Sequence, residues 1–331
     1  MASKRATIIY NPMSGRFGRR HAAAHHMRDL LVDRGIATST CPTTGPDSAT
    51  GLAREALAEG SDIIVCYGGD GTINEVIQPM AGTSASLAVW AGGTSNVVAR
   101  DLGLPRRQTA LADVIARGKT RRVALGLASS NITAGVAVEA DAKLLQTGRV
   151  QTSSRTALTA RETDAQDIRR YFVMMAGIGL DASVAKAVNK KIKRGTGELA
   201  YWLSGIGHLL FWEPVSFTVE ADGSTYESVF TVIGKGKGYG GEMVLTPGAS
   251  LEEPRFEVFI LPKLASRLSY LRVSVACLRG KPETTSATII KAYSIRAHST
   301  LAPWVEVDGE VVGPLPMSFE VVPDALSLIV P

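Results

Sequence analysis

Cysteine is scarce in this chain. Cys41, Cys66 and Cys277 are three, an odd number, far apart and without a Cys-x-x-Cys pair. That argues against a disulfide framework or a cysteine-held zinc ion, and for a reducing cytoplasm. No apolar run approaches the roughly 20 residues a helix needs to cross a bilayer, so any membrane contact is expected from one side. Met1-Ala2-Ser3-Lys4-Arg5 leads straight into strand-like Ala6 to Tyr10, without the apolar core of a signal peptide. Basic residues interleaved with aromatics are also missing, so no nucleic-acid partner is expected. Two familiar phosphate motifs fail. Gly118-Lys119-Thr120 has the tail of a P-loop, but Asp113 stands where its first glycine belongs. Gly236, Gly238 and Gly241 have dinucleotide spacing, but Met243 to Pro247 does not open a helix. His21 and His25 lie four apart without the Glu a zinc-protease helix carries after its first His; a solvated helix face is the reading.

What is present is ordinary for a folded protein. The chain has 331 residues, 45% hydrophobic and 20% charged, enough for one large domain or two. A net charge of +5 suits anionic ligands or an anionic membrane surface and chooses neither.

The most informative stretch runs from Ile63 to Val76. Ile63-Ile64-Val65-Cys66-Tyr67 reads as a buried strand of a parallel sheet. Gly68-Gly69-Asp70-Gly71-Thr72 follows at once, and Ile73, Val76, Ile77 and Met80 then repeat with helical spacing. Glycines let the backbone approach a ligand, and free N–H groups at a helix start face an anion. A carboxylate repels bare phosphate, so Asp70 points to a Mg²⁺ ion, or a water on it, between the two. The plainer alternative is a tight turn with Asp70 as an N-cap. The strand–loop–helix context favours phosphate.

Other segments repeat this arrangement. Strands are expected at 5–10, Ile36–Cys41 and Ala85–Trp90, and helices at about Arg19–Arg34, 48–59 and Val97–Leu102. Alternating strands and helices imply a doubly wound parallel sheet, its loops forming one crevice. Asn11-Pro12-Met13-Ser14-Gly15 and Gly92-Gly93-Thr94-Ser95-Asn96 are the neighbouring loops. After about residue 120 the texture becomes β-rich, with strands expected at Val215–Glu220, Val229–Ile233, Phe256–Leu261, Ala287–Ala297 and Trp304–Val307. This suggests an antiparallel sandwich or partial barrel. Helical patterns fall at 181–194, 197–212 and 264–279, and residues 151–168 read as an exposed loop. Lys190, Lys191, Lys193 and Arg194, beside an apolar helix carrying Trp202 and Trp212, fit docking on an anionic membrane. A core helix is the plainer reading of those apolar side chains.

Together the motifs resemble the diacylglycerol kinase catalytic-domain family, especially its soluble bacterial lipid kinases, which are related to sphingosine and ceramide kinases. The matches are Asn11-Pro12-x-Ser14-Gly15, Gly68-Gly69-Asp70-Gly71-Thr72, Gly93-Thr94-x-Asn96-x-x-Ala99 and Val307-Asp308-Gly309-Glu310. Gly177 to Ala182 and Tyr239-Gly240-Gly241-x-Met243 extend the likeness over nearly the whole chain. NAD kinases share the second motif but lack the first loop and the late Asp-Gly-Glu.

The resemblance implies two domains: a nucleotide-binding α/β unit over 1–120, and a β-rich substrate unit over 121–319, with the tail 320–331 returning to the first. It implies ATP phosphates across Asn11, Pro12, Ser14, Gly15, Gly68, Gly69, Asp70, Gly71, Thr72 and Asn74, with Thr43, Thr94 and Asn96 nearby. Glu310 matches the general base, with Asp308 beside it and Asp70 at the metal and phosphate. From the tripeptide alone, Asp308-Gly309-Glu310 is a hairpin turn. The expected activity is ATP- and Mg²⁺-dependent transfer to a primary hydroxyl of a diacylglycerol-like lipid, at the inner face of the membrane. A sphingoid base or ceramide, a soluble metabolite such as NAD, and a non-catalytic regulator are the alternatives, and a homodimer is left open. Two positions depart from the family. Val97 stands where many diacylglycerol kinases have Asp; sphingosine- and ceramide-kinase-like members also carry an apolar residue there. The family's structural Mg²⁺ turn corresponds to Ser250-Leu251-Glu252-Glu253-Pro254-Arg255. There Glu253 and the carbonyls of Ser250 and Arg255 are the implied ligands, with Pro254 stiffening the turn.

Overall fold

The computed structural model describes residues 4–13, 19–93, 95–130, 168–179, 214–239 and 243–331. Outside them lie Ser14, Gly15, Thr94, the stretch 151–167, and the helices expected at 181–194 and 197–212 with their basic and Trp residues.

The first half alternates strand and helix: β1 (Arg5–Tyr10), α1 (Arg19–Val32), β2 (Ala37–Pro42), α2 (Ser48–Ala58), β3 (Ile63–Gly68), α3 (Asp70–Met80), β4 (Ser86–Ala91), α4 (Val97–Asp101) and α5 (Gln108–Arg117). The strands pair in the order β2-β1-β3-β4, all parallel. Alternate side chains of β1 and β3 enter two cores. Ile8 and Val65 meet Met27 and Leu31 of α1 and Leu111 and Ile115 of α5. Ile9, Ile64 and Cys66 meet Ala53 of α2 and Ile73, Val76 and Ile77 of α3. A strand covered on both faces needs a continuous apolar run, which is why 63–66 reads as one. Each large aliphatic side chain buried this way contributes about 1.5–3 kcal/mol.

Next come β5 (Thr120–Ser129), β6 (Arg169–Phe172), β7 (Met175–Gly179), β8 (Phe217–Ala221), β9 (Ser224–Ser228), β10 (Phe230–Gly234), β11 (Gly238–Tyr239), β12 (Met243–Val244), β13 (Phe256–Leu261), α6 (Arg267–Leu278), β14 (Thr288–Ala292), β15 (Ser294–His298), β16 (Trp304–Val307), β17 (Glu310–Pro314) and β18 (Met317–Ile329). Strands β14-β13-β10-β7-β16-β17 form an antiparallel sheet of six. Its inner face meets a second sheet, with Ile178, Ile233, Val258 and Val305 packed against Phe172, Phe217, Ile295 and Phe319. The outer face of β13 is covered by Tyr270, Val273 and Cys277 of α6.

That second sheet is continuous with the parallel one. Strand β18 lies parallel to β4 at Ser327 and Leu328, antiparallel to β15 over Met317–Glu320, and antiparallel to β5 from Ser318 to Ile329 with a register shift after Val322. The two halves therefore share one mixed sheet. The span Ala287–Ala297 is two strands rather than one. The carboxylate of Asp222 accepts from the Tyr293 and Ser294 amides at 2.9 and 3.1 Å, and the chain changes sheets there.

The halves are stapled where α3 meets β6. Gln78 mimics a strand neighbour: its Nε2 donates to Tyr171 O at 3.0 Å and its Oε1 accepts from Tyr171 N at 2.9 Å. Gln78→Ala removes both and leaves a partly buried peptide unit without these partners. The expected loss is about 1–3 kcal/mol, read as a lower urea midpoint with unchanged slope. An unchanged midpoint contradicts the staple.

Candidate active site

Strands β1, β3 and β4 end level with one another, Tyr10 opposite Tyr67 and Tyr67 opposite Trp90. The chain leaves all three toward one crevice, and backbone bonds tie the exits together. Asn11 N donates to Tyr67 O at 3.1 Å, Thr43 N to Tyr10 O at 2.9 Å and Gly92 N to Gly68 O at 2.9 Å. Glycines let the loops touch. A Cβ on Gly93 would stand 2.6 Å from Gly69 Cα.

Helix α3 opens in this crevice with Gly69, not Asp70, as its N-cap, and no side chain caps it. Its first-turn amides lack intrahelical partners and suit an anion. The Asp70 carboxylate turns sideways and accepts from Val97 N at 2.9 Å, joining two loops. Burial pushes its pKa up, and the charge of Asp308 pushes it further. No Lys or Arg among the described residues forms an ion pair with it. A carboxylate in that setting favours a nearby cation, which is what the resemblance assigns here. The Val97 side chain points elsewhere, toward Gly238, whose added Cβ would lie 2.8 Å from Val97 Cγ1.

Across the crevice, β16 and β17 form a hairpin with Val307 opposite Glu310. Its two turn residues have positive φ, 48° at Asp308 and 88° at Gly309, the type I′ signature. Asp308 is thus the turn residue its tripeptide suggests, with a second task. Its carboxylate accepts from Val173 N at 2.9 Å, Met174 N at 2.9 Å, Met175 N at 3.1 Å and Asn74 Nδ2 at 3.0 Å. Four donors fill the usual acceptor capacity of a carboxylate. Burial raises its pKa, and these bonds oppose the rise. Asp308 fixes the hairpin to α3 and has no acceptor site left for substrate.

The turn carries Glu310 over the Gly68–Thr72 loop. Its Oε1 lies 2.8 Å from the point a Cβ on Gly71 would occupy, so the carboxylate rests against the first turn of α3. The side chain is exposed to the crevice.

Several expected nucleotide contacts are otherwise engaged. Asn74 is fully buried, donating to Asp308 and Tyr171 O and accepting from Arg170 Nε at 2.8 Å. Its side chain joins the domains and is not open to ATP. Asn96 closes its own loop, accepting from Gly93 N at 2.6 Å and donating to Gly93 O at 2.8 Å. Asn11 Oδ1 accepts from Met13 N at 2.9 Å, an Asx turn before Pro12. Thr43 is buried at the base of the crevice and Thr72 packs under Gly68.

A residue not singled out from sequence stands at the same edge. The Arg20 guanidinium lies 4.6 Å over the Tyr67 ring and donates to Gly92 O. Its Nη1 is buried without a partner among the described residues, and burial lowers its pKa. The signal was its place in the first turn of the helix after the Asn-Pro loop.

The implied metal turn differs from expectation. The carbonyls of Ser250 and Arg255 accept from the Lys235 ammonium at 3.0 and 3.2 Å, and that of Glu253 at closer range. The Glu253 carboxylate is bound by Lys291 at 3.0 Å and Arg255 at 3.4 Å. These residues, as placed, do not fit a divalent ion, because a fixed cation already stands at the point where the carbonyls meet.

Comparison with known proteins agrees with this architecture. Residues 5–128 match the model of the diacylglycerol kinase catalytic domain, and residues 174–330 that of the YegS C-terminal NAD kinase beta sandwich-like domain. A diacylglycerol kinase of Bacillus subtilis (strain 168) is 30% identical over 323 residues, covering 96% of this chain and 93% of the relative. One from Mycobacterium tuberculosis (strain ATCC 25618 / H37Rv) is 25% identical, covering 99% and 95%. A solved diacylglycerol kinase structure from Bacillus anthracis str. Sterne shares the fold with a TM-score of 0.72 at 22% identity, covering 99% of this chain and 97% of that one. With its loop–strand order, its late Asp-Gly-Glu hairpin and these relatives in agreement, the chain belongs to the diacylglycerol kinase family of kinases.

Proposed function

We propose that this kinase transfers the γ-phosphate of ATP to a primary hydroxyl of a diacylglycerol-like lipid, with Mg²⁺ on the nucleotide. The observation that carries the reading is the Glu310 carboxylate resting on Gly71, where a β-domain acid meets the anion-binding end of α3. Phosphoryl transfer needs alignment and charge stabilisation more than covalent help. The open amides of α3 and the buried Arg20 guanidinium supply positive potential to the phosphates. Asp70 is the carboxylate that would hold a Mg²⁺ ion on the nucleotide, directly or through water, and the ion would supply charge neutralisation to the phosphate oxygens. Glu310 takes the hydroxyl proton as the new oxygen–phosphorus bond forms and the bond to ADP breaks. Asp308 and Asn74 are positioning residues that hold Glu310 in register.

The substrate class is supported by the relatives' printed names and by one surface. Helix α6 exposes Leu268, Val275 and Leu278 beside Arg272, Arg279 and Lys281. An apolar strip with a cationic rim suits an anionic bilayer. No helix among the described residues is long and apolar enough to cross one. Val97, turned away from Asp70, favours keeping sphingoid bases and ceramide as the second reading.

Three measurements test this proposal. Labelled ATP offered with diacylglycerol, sphingosine, ceramide and NAD should mark diacylglycerol, and Glu310→Gln should lower that turnover about 10²–10⁴-fold while nucleotide affinity by calorimetry is kept. Full turnover in Glu310→Gln ends the base assignment, and label on another acceptor replaces the substrate. Gly71→Ala should displace only the flexible end of Glu310, so turnover falls while the melting temperature holds; a variant as active as wild type places the acid elsewhere. Replacing Arg272, Arg279 and Lys281 with Gln should weaken binding to anionic vesicles and flatten its salt dependence. Equal wild-type binding to neutral and anionic vesicles removes α6 from the membrane.

A further inference from the structure

Lysine 235 is a wholly buried lysine, 0% exposed, in the Gly234-Lys235-Gly236 segment that leaves β10. Buried lysines are rare unless paired. This one is matched to its surroundings atom by atom. An ammonium has three N–H donors and no acceptor, and three backbone carbonyls, from Ser250, Glu253 and Arg255, receive them. A ring of carbonyls aimed at one point is how proteins bind hard cations such as Mg²⁺ and Ca²⁺. Here the charge at that point is attached to the chain.

The turn it holds is structurally important. Leu251 O accepts from Ala124 N of β5 at 2.8 Å, and Leu251 lies in the core beneath α3. Glu252 pairs with Arg121 at 2.9 Å. The backbone amides of Lys235 and Gly236 both donate to Met174 O, at 2.7 and 2.9 Å, while Met174 N donates to Asp308. The Lys235 ammonium thus holds a turn whose backbone is bonded to β5, and the backbone of the same residue is bonded through Met174 to the cradle of the Glu310 hairpin. Glu253, the side chain a metal would recruit, is neutralised by Lys291 and Arg255, which hold its pKa low.

We propose that Lys235 is a tethered cation that takes the place of a structural divalent ion in this fold, so that folding and the shape of the 250–255 turn need no metal there. The remaining divalent-ion requirement then belongs to the nucleotide. This inference rests on the turn's geometry and holds for any acceptor, lipid or soluble.

The experiment reads stability and ion binding without nucleotide or lipid. Wild type, Lys235→Met and Lys235→Ala are melted in EDTA and in millimolar MgCl₂ or MnCl₂, and Mn²⁺ binding is followed by electron paramagnetic resonance. Asp70→Asn is measured alongside, so that an ion held at the nucleotide loops is recognised and subtracted. Wild type should melt at the same temperature with and without metal, and bind no Mn²⁺ beyond that lost in Asp70→Asn. Lys235→Met keeps the stem and loses the charge. It should melt lower and stay low with added metal. Lys235→Ala opens the carbonyl ring, and its lowered melting temperature should recover in part with Mn²⁺ or Mg²⁺, with one Mn²⁺ bound. An Asp70→Asn variant, Lys235 intact, that Mg²⁺ still stabilises overturns the proposal. So does a Lys235→Met variant as stable as wild type, which reduces Lys235 to a space filler. If Lys235→Ala does not fold in EDTA but folds with metal, the ring has accepted the free ion and the proposal stands. If it folds under neither condition, the wild-type and Lys235→Met results decide.

Discussion

The position of Glu310 hangs on a neighbouring carboxylate whose acceptor sites are already filled by the protein. Asp308 lies in a nest of three successive backbone amides, from Val173 to Met175, and receives a fourth bond from Asn74 of the other half. Burying a carboxylate is costly unless its bonds are met, and here they are. The bonds hold a tight hairpin against the opening of α3. Glu310, two residues on, inherits its position from them. An exposed acid on a long flexible stem becomes a directed one because its neighbour cannot move.

The shared mixed sheet explains why this crevice exists. Parallel strands end at one edge and leave loops there, as in other open α/β sheets. Strands β5 and β18 carry the same sheet into the sandwich, and the sandwich hairpin returns over the loops. The active crevice lies at the seam between the parallel and antiparallel parts. Gln78 at β6 keeps the seam closed from within, whereas the Lys235 turn braces it from the far side of Met174.

Much of this was legible in the sequence. The run Ile63 to Tyr67, the glycines behind it and the spacing of Ile73, Val76 and Ile77 state a strand, a loop and a helix without ambiguity, because each signal is local. Two-residue Asp-Gly turns are local too, and 308–309 is one. What was hidden depends on partners distant in the chain. Asn74 looks like a ligand contact in a phosphate loop, and only the arrival of Asp308 and Tyr171 shows that its amide is engaged. Lys235 looks like an ordinary basic residue among glycines until the 250–255 carbonyls surround it. Ala287 to Ala297 reads as one strand because nothing in it announces the Asp222 carboxylate that turns it between sheets. The tail from residue 320 is expected to return to the first half, but β18 does not read as one strand because Pro323 and Asp324 interrupt it, and Asp324 adopts a positive φ of 48° where the pairing register shifts.

Strand β18 also sets an order of events. It is the last strand among the described residues, yet Ser327 and Leu328 pair with Ser86 and Leu87 of β4, 241 residues earlier. On a ribosome the parallel strands emerge long before the strand that covers their edge. Until it arrives, β4 presents open backbone groups, the kind of edge that invites pairing with other chains. Contacts so far apart in sequence also form slowly, since a long loop must close before they are gained. The parallel half of this kinase is therefore made before the strand that completes it, and the growing chain carries an unprotected sheet edge until Ser327 and Leu328 have been made.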